Sequence, residues 1–376
     1  MFFKDVIGQD ELKRYLTVTA RKGVVPHALL FCGEEGTGAF QLAFAFARYI
    51  NCTERSETDS CGRCPSCLKY NELAHPDLHF VFPIITDEKK KICDDFIADW
   101  RNFLSSNIKN HDYFNLDKWL AELGAENKQA VIYAAESDSI IHKMNLKVYE
   151  AEYRVLFVWM PERMNVQCAN KLLKIIEEPP AKTAIIMISD KPDMVLGTIF
   201  SRSQPIHVPP VRHDILEKYL AEKYGLTEDN ARQITHLSNG NYLKASELIT
   251  EDNDNAYFLE AFKTMMRNGW KRDITAMKSH ADEIAGIGRE RQKNFLAFCQ
   301  RMIRENFLRC LDEPGLNYMN EAEASFSEKF SPFVNERNIV GLMEEFALAE
   351  QHIAQNVNAK MVFFDLSLRI TVLIKA

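Results

Sequence analysis

The sequence predicts an α/β domain on a parallel sheet, followed by a remainder that is entirely helical. Three observations carry this. Short apolar runs at 27–33 (HALLFCG), 154–160 (RVLFVWM) and 183–189 (TAIIMIS) lack polar alternation, as strands buried on both faces do. Stretches with helical spacing stand among them, at 39–51 (AFQLAFAFARYIN) and 165–180 (NVQCANKLLKIIEEPP). Beyond HVPPVRHD at 207–214 no strong strand pattern follows.

The elements follow in order. HALLFCG ends in a glycine loop, and helix 39–51 then shows a wide apolar face of Phe40, Phe44 and Ala47 flanked by Leu42 and Phe46. Residues 86–150 form a long polar stretch, expected as a mostly helical insertion or long connection. In 165–180, Ala169, Leu172, Leu173 and Ile176 share a helical face, and Pro179 and Pro180 stop the helix. Ser189, Asp190 and Pro192 mark a loop after the third strand, and a short helix then delivers SRS (201–203) just before another strand. Three short helices are expected in DILEKYLAEKYG, TEDNARQITHLSNG and NYLKASELITE, with longer amphipathic helices from about 255 onward.

A chain of 376 residues exceeds one ordinary core, so two or three domains are expected. Hydrophobic content of 46% and charged content of 26% fit a soluble globular protein. Net charge of −7 offers no global basic field for nucleic acid, although a local patch would still serve. No apolar run is long enough to span a bilayer, and the start MFFKDVIGQDE has early acids and no apolar core of a signal peptide; a cytosolic location and no membrane partner are expected. In a reducing compartment nine cysteines argue against disulfides. Five of them, Cys32, Cys93, Cys168, Cys299 and Cys310, are scattered and expected as buried small hydrophobes.

GEEGTGAF (33–40) has the glycines of a phosphate-binding loop, Gly33, Gly36 and Gly38, in the strand–loop–helix order such a loop needs. The pattern G-x-x-x-x-G-K-[ST] places a lysine on the β/γ-phosphates and a hydroxyl on Mg²⁺. Ala39 and Phe40 stand in those places, and Glu34 and Glu35 add negative charge where phosphates would lie. The strand that should supply an acid for Mg²⁺ ends in Met160 and Pro161, with Glu162 one or two positions late. The favoured reading is a nucleotide-free loop of P-loop descent. Binding without hydrolysis ranks second, hydrolysis third, and a plain glycine turn is the bland alternative.

Cys52, Cys61, Cys64 and Cys67 give C-x₈-C-x₂-C-x₂-C. Four thiolates close a tetrahedral Zn²⁺ site and leave no position open for water, so the metal would be structural. The rival is an iron–sulfur cluster, whose fourth Cys-Pro is missing here. Arg202, in SRS, is by default a surface arginine or an ion pair. Its functional reading is a planar cation given in trans to a neighbour's γ-phosphate, which accelerates hydrolysis by about 10³–10⁵.

These residues together resemble the delta-prime family of bacterial DNA polymerase III clamp-loader subunits, a catalytically dead branch of the AAA+ class. FKDVIGQDELKRYL is similar to the family's N-terminal box, PHALLFCGEEGTG to its degraded loop, and the four cysteines with HPD (75–77) to its zinc module. ANKLLKIIEEPP is close to its most recognisable helix, and SRS sits where the family has Ser-Arg-Cys, with Ser203 departing from that pattern. The likeness is good over 1–210 and weaker beyond. In SNGNYLKA, Leu243 falls where active members carry a phosphate-sensing arginine, with Lys244 beside it, and 86–150 is longer than the family leads one to expect.

The resemblance implies an AAA+ core at 1–210 with a zinc module at 52–67, a three-helix lid at 211–254 and a helical collar at 255–376. It implies a place at one end of a hetero-pentamer with delta and gamma/tau subunits, acting on the sliding clamp and primer–template DNA through the complex. Arg202 would face ATP on the neighbouring gamma/tau subunit, while this chain hydrolyses none. The alternatives are an active gamma/tau-type ATPase and a zinc-module DNA-binding protein on a vestigial ATPase fold.

Overall fold

The computed structural model describes residues 1–375 apart from 88, 126–127, 311–318 and 320, with the side chains of 251–253, 290, 310 and 321 also left out. The chain forms two compact units, Met1–Leu248 and Ile249–Ala376.

The first unit opens with helix α1 (Asp10–Arg21), followed by β1 (Ala28–Cys32) and α2 (Ala39–Ile50). A short helix α3 (Pro65–Asn71) leads to β2 (Leu78–Val81), and α4 (Ile97–Lys109), α5 (Leu116–Glu122) and α6 (Ala134–Asn145) fill the long connection to β3 (Arg154–Trp159). Then come α7 (Val166–Glu177), β4 (Thr183–Ser189), α8 (Gly197–Phe200), β5 (Gln204–His207), α9 (His213–Tyr224) and α10 (Glu228–Ser238). The five strands are all parallel, in the order β2-β3-β4-β1-β5. Ile185 of β4 pairs with Ala28 on one side and Leu156 on the other, so β4 and its neighbours are buried on both faces. That double burial is why the runs in β1, β3 and β4 read as continuous rather than alternating.

The edge strand β2, from HPDLHFVF, is an element the apolar runs did not reveal: four residues with a polar His79 give too short a pattern. The connection at 86–150 is helical as expected, and it also builds the core. Trp100, Phe103, Phe114 and Trp119 are all buried and pack on one another; Trp100 and Phe114 meet Phe40 of α2 and Trp159 of β3, and Trp100 and Trp119 meet Phe82 just after β2.

One helix corrects the sequence reading. NYLKASELITE is not a short helix but the start of α11, which runs from Tyr242 to Lys271. No proline or glycine interrupts the chain from Tyr242 until Gly269, and the polar run TEDNDNA continues a helix begun on either side. The second unit contains α12 (Ile274–Ala285), α13 (Arg289–Cys310), α14 (Glu321–Phe330), α15 (Ile339–Ala354) and α16 (Ala359–Leu373). Phe262, Phe295, Phe346, Phe363 and Ile370 are fully buried at its centre. Cys32, Cys93, Cys168 and Cys299 are buried as expected; the side chain of Cys310 lies outside those described.

Candidate functional site

The glycine loop joins β1 to α2, and Gly36 (φ +78°) and Gly38 (φ +89°) occupy the left-handed region. A side chain at either would meet the chain's own atoms. A Cβ on Gly36 would lie 2.9 Å from Leu243 Cβ and against the Asn241 amide, and one on Gly38 would lie 2.9 Å from Tyr113 Oη. Side chains of this same unit therefore pack directly against the loop's glycines.

These side chains are anchored there. Asn241 precedes α11 and accepts the Lys244 N–H through Oδ1 at 3.0 Å, as an N-cap does. Its Nδ2 donates to Glu35 O at 2.6 Å, and Tyr242 N donates to Gly36 O at 3.1 Å. Gln9 Nε2 reaches Thr37 O at 3.2 Å from the other side. Tyr113 is buried, and its hydroxyl accepts the Ile7 N–H at 3.1 Å. Leu243, buried, sets an apolar side chain beside the loop.

Phe40 lies in the first turn of α2, where the Mg²⁺ hydroxyl belongs. It is buried among Phe44, Trp100, Phe114, Phe157 and Trp159, with ring centroids 4.7 Å from Phe114 and 5.1 Å from Phe157, both edge-on. The position is therefore a core site.

Carboxylates gather at the strand ends. Glu162 follows β3 in a single 3-10 turn (Pro161–Arg163) and accepts the Asp190 N–H at 3.2 Å. Burial pushes the Glu162 carboxyl up, and burial with the charges of Glu162 and Glu35 pushes Asp190 up to about 8. Like charges at close range in a partly buried site are costly, and the corner relieves that cost by holding protons rather than by offering a charged ligand set for Mg²⁺.

Arg202 follows α8. Its Nε donates to Glu177 Oε1 at 2.5 Å and its Nη1 to Thr198 O at 3.0 Å. The side chain is 34% exposed, so the pair holds the guanidinium at the surface rather than hiding it. The structure places Arg202 and the glycine loop on separate elements, with no contact between them among the described residues.

The four cysteines come together. The Sγ atoms of Cys52, Cys61, Cys64 and Cys67 lie within 4.8 Å of one another. Zn–S bonds of about 2.3 Å place tetrahedral sulfurs roughly 3.8 Å apart, and Cys64 and Cys52 are 4.0 Å apart. Three sulfurs accept backbone N–H groups: Cys52 from Cys61, Cys61 from Cys64 and Cys64 from Cys67. Burial raises the Cys64 thiol, yet the Cys67 N–H and hydrogen bonds from Thr53 bring it down to about 6, favouring thiolate. Behind the cluster Arg48 is fully buried under the Phe2 ring, 3.8 Å from its centroid. Its Nη1 donates to Met1 O at 3.4 Å, its Nε and Nη2 have no oxygen or nitrogen partner among the described residues, and it acts on Cys67, whose thiol burial pushes up while Arg48 pulls it down. A buried cation is costly unless an anion compensates it, and four thiolates around a divalent ion carry a net charge of −2. The residues fit a metal ion, and the all-sulfur set is compatible with zinc.

Asn241 and Tyr113 are the loop contacts the sequence reading missed. Asn241 had a local signal, an asparagine just before a helical pattern. Tyr113 had none, since it reaches the loop from the long connection. No helix among the described residues is long and apolar enough to cross a membrane.

A family model described as DNA polymerase III, delta subunit, matches residues 8–212, more than half of the chain. The DNA polymerase III subunit delta' of Bacillus subtilis (strain 168) is 26% identical over 244 residues, covering 65% of this chain and 60% of that protein. The delta' subunit of Haemophilus influenzae is 25% identical over 252 residues, covering 67% and 62%. The gamma/tau subunit of Mycobacterium bovis is 26% identical over 232 residues, covering 61% and 33%. The chain thus spans about three fifths of the length of the delta' relatives it matches.

Proposed function

We propose, on the premise that the chain belongs to the DNA polymerase III delta-subunit family with delta' relatives, that it is a clamp-loader subunit that does not turn over nucleotide itself. The observation that supports the second half is the packed loop: Asn241, Leu243 and Tyr113 lie against its glycines, and Phe40 is committed to the core. In this reading those side chains crowd the phosphates, and neither a lysine nor a Mg²⁺ hydroxyl is there to hold them.

In this reading the strand–loop–helix join survives because the sheet needs it, and the subunit acts on a neighbour's nucleotide. Arg202 is the finger. Its exposure and its single ion pair to Glu177 support that role, since a competing phosphate can take the guanidinium from a half-exposed carboxylate at little cost. Residues 1–210 are an AAA+ core, 211–254 its lid and 255–376 a collar. The partners are delta and gamma/tau subunits in a hetero-pentamer, which handles the sliding clamp and primer–template DNA in the cytoplasm. The cysteine cluster holds structural zinc, which staples 52–67 to the end of α2; the metal's chemistry there is to fix four thiolates.

The gamma/tau similarity supports one second reading, an active ATPase of that type. Titration of the purified chain with Mg-ATP separates the two: no saturable binding and no turnover is the expected result. Co-purification with delta and gamma/tau subunits, followed by native mass measurement, tests the assembly. A chain that binds and hydrolyses ATP alone, or that joins no such complex, overturns this function.

A further inference from the structure

The second unit carries a small cavity of about 200 Å³ between α11, α14 and the end of α16. Its apolar walls are Met266, Trp270, Phe326, Phe330, Phe333 and Ile374, and Lys263, Arg267 and Lys329 line it as well. Four cations border it. Lys263 lies 5.5 Å from the Phe326 ring centroid and pairs with Glu260, while Lys375 lies 4.8 Å from the centroid of Trp270. Arg267 and Lys329 are exposed and form no ion pair among the described residues. Of the four, only Lys263 forms an ion pair among the described residues, and this local cluster of cations runs opposite to the chain's net charge of −7.

We propose that this cavity docks an acidic peptide segment of a partner protein through one large apolar anchor residue. Size and charge together select this occupant. Small-molecule pockets usually span about 300–1,000 Å³, so this one takes a single side chain rather than a whole ligand. An apolar pocket filled by one anchor and ringed by charge is the usual arrangement of an interface hot spot. The rim then sets the sign of what flanks the anchor, because cations steer and hold carboxylates. A nucleic acid strand fits less well. One face of Trp270 lies under Lys375 and Phe333 meets the indole at 71°, so no open aromatic platform remains for stacking a base.

The test uses the full chain and a panel of fluorescein-labelled peptides. Each carries one Phe, Leu or Trp among Asp and Glu; matched controls replace the anchor by Ser or the acids by Lys. Fluorescence anisotropy should show saturable binding of anchored acidic peptides, with at least tenfold weaker binding of both controls. The double variant Arg267→Glu, Lys329→Glu should weaken binding about tenfold or more, and added salt should weaken it in the wild type. Trp270 is the exposed one of the four tryptophans, so its emission should shift on binding and Trp270→Phe should remove the shift while binding persists. Both rim residues are exposed, so the double variant should keep the wild-type circular dichroism spectrum. The proposal is overturned if no acidic peptide binds up to roughly millimolar concentration, if Lys-rich peptides bind equally well, or if the double variant binds like wild type. It is also overturned if a single-stranded oligonucleotide displaces the peptides at lower concentration, or if native mass shows a second copy of this chain in the site.

Discussion

Replacing Phe40 by threonine restores the hydroxyl of a working phosphate loop, and it should cost stability while giving no nucleotide binding. The ring is buried and meets five other aromatic rings, the nearest at 4.7 and 5.1 Å. Removing a buried Phe side chain costs about 3–5 kcal/mol through lost transfer energy and the cavity left behind. A threonine hydroxyl in that aromatic setting adds about 1–3 kcal/mol if it finds no partner. Phe40→Ala should therefore lose about 3–5 kcal/mol, and Phe40→Thr should be no more stable than Phe40→Ala. Urea denaturation followed by circular dichroism measures both, and Mg-ATP titration by calorimetry is run on the same samples. The reasoning is refuted if Phe40→Thr is clearly more stable than Phe40→Ala, or if it binds Mg-ATP. Either result would place position 40 against a ligand site rather than in the core.

Three further outcomes follow from the same geometry. The purified chain should contain one zinc and no iron, and Cys67→Ser should lose the metal and lower stability, as elemental analysis and thermal melting would show; iron with a visible chromophore contradicts this. Arg48→Met should speed zinc transfer to a chromophoric chelator and weaken zinc affinity about 10–100-fold, the usual cost of losing a group that supports metal ligands; an unchanged rate contradicts the charge-compensating role. Asp190 has its folded pKa raised to about 8 from an ordinary value near 4, so the native state holds a proton there that the unfolded state releases. Its contribution is fully present below pH 4 and is lost as pH rises toward 8. Asp190→Asn should thus gain stability relative to wild type as pH rises from 5 to 8.5; a difference independent of pH would show that Asp190 is not protonated in the fold.

The strands most buried on both faces were the most legible, because burial itself wrote the pattern: TAIIMIS is β4 residue for residue. Edge strand β2 was not, since four residues carry no period. NYLKASELITE showed where a helix starts but not where it ends, because a polar run without glycine or proline continues a helix as readily as it breaks one. At the site, local spacing revealed the cysteine cluster, whose four ligands lie within sixteen residues. The loop's occupants were hidden for the opposite reason. Tyr113 lies 75 residues from Gly38 and Asn241 lies 205 residues from Gly36, and no local pattern reports so distant a contact. Missing lysine and hydroxyl told what the loop lacks; only the packing told what lies against it.

The most direct measurement is the DNA-stimulated ATPase of the reconstituted clamp-loader complex with Arg202→Ala in place of the wild-type chain. The account predicts an assembly of unchanged mass in which the nucleotide site facing this chain no longer turns over, while the isolated chain is inactive with or without the substitution. Unchanged turnover in an intact complex, or ATPase activity of the isolated chain that Arg202→Ala abolishes, would contradict it.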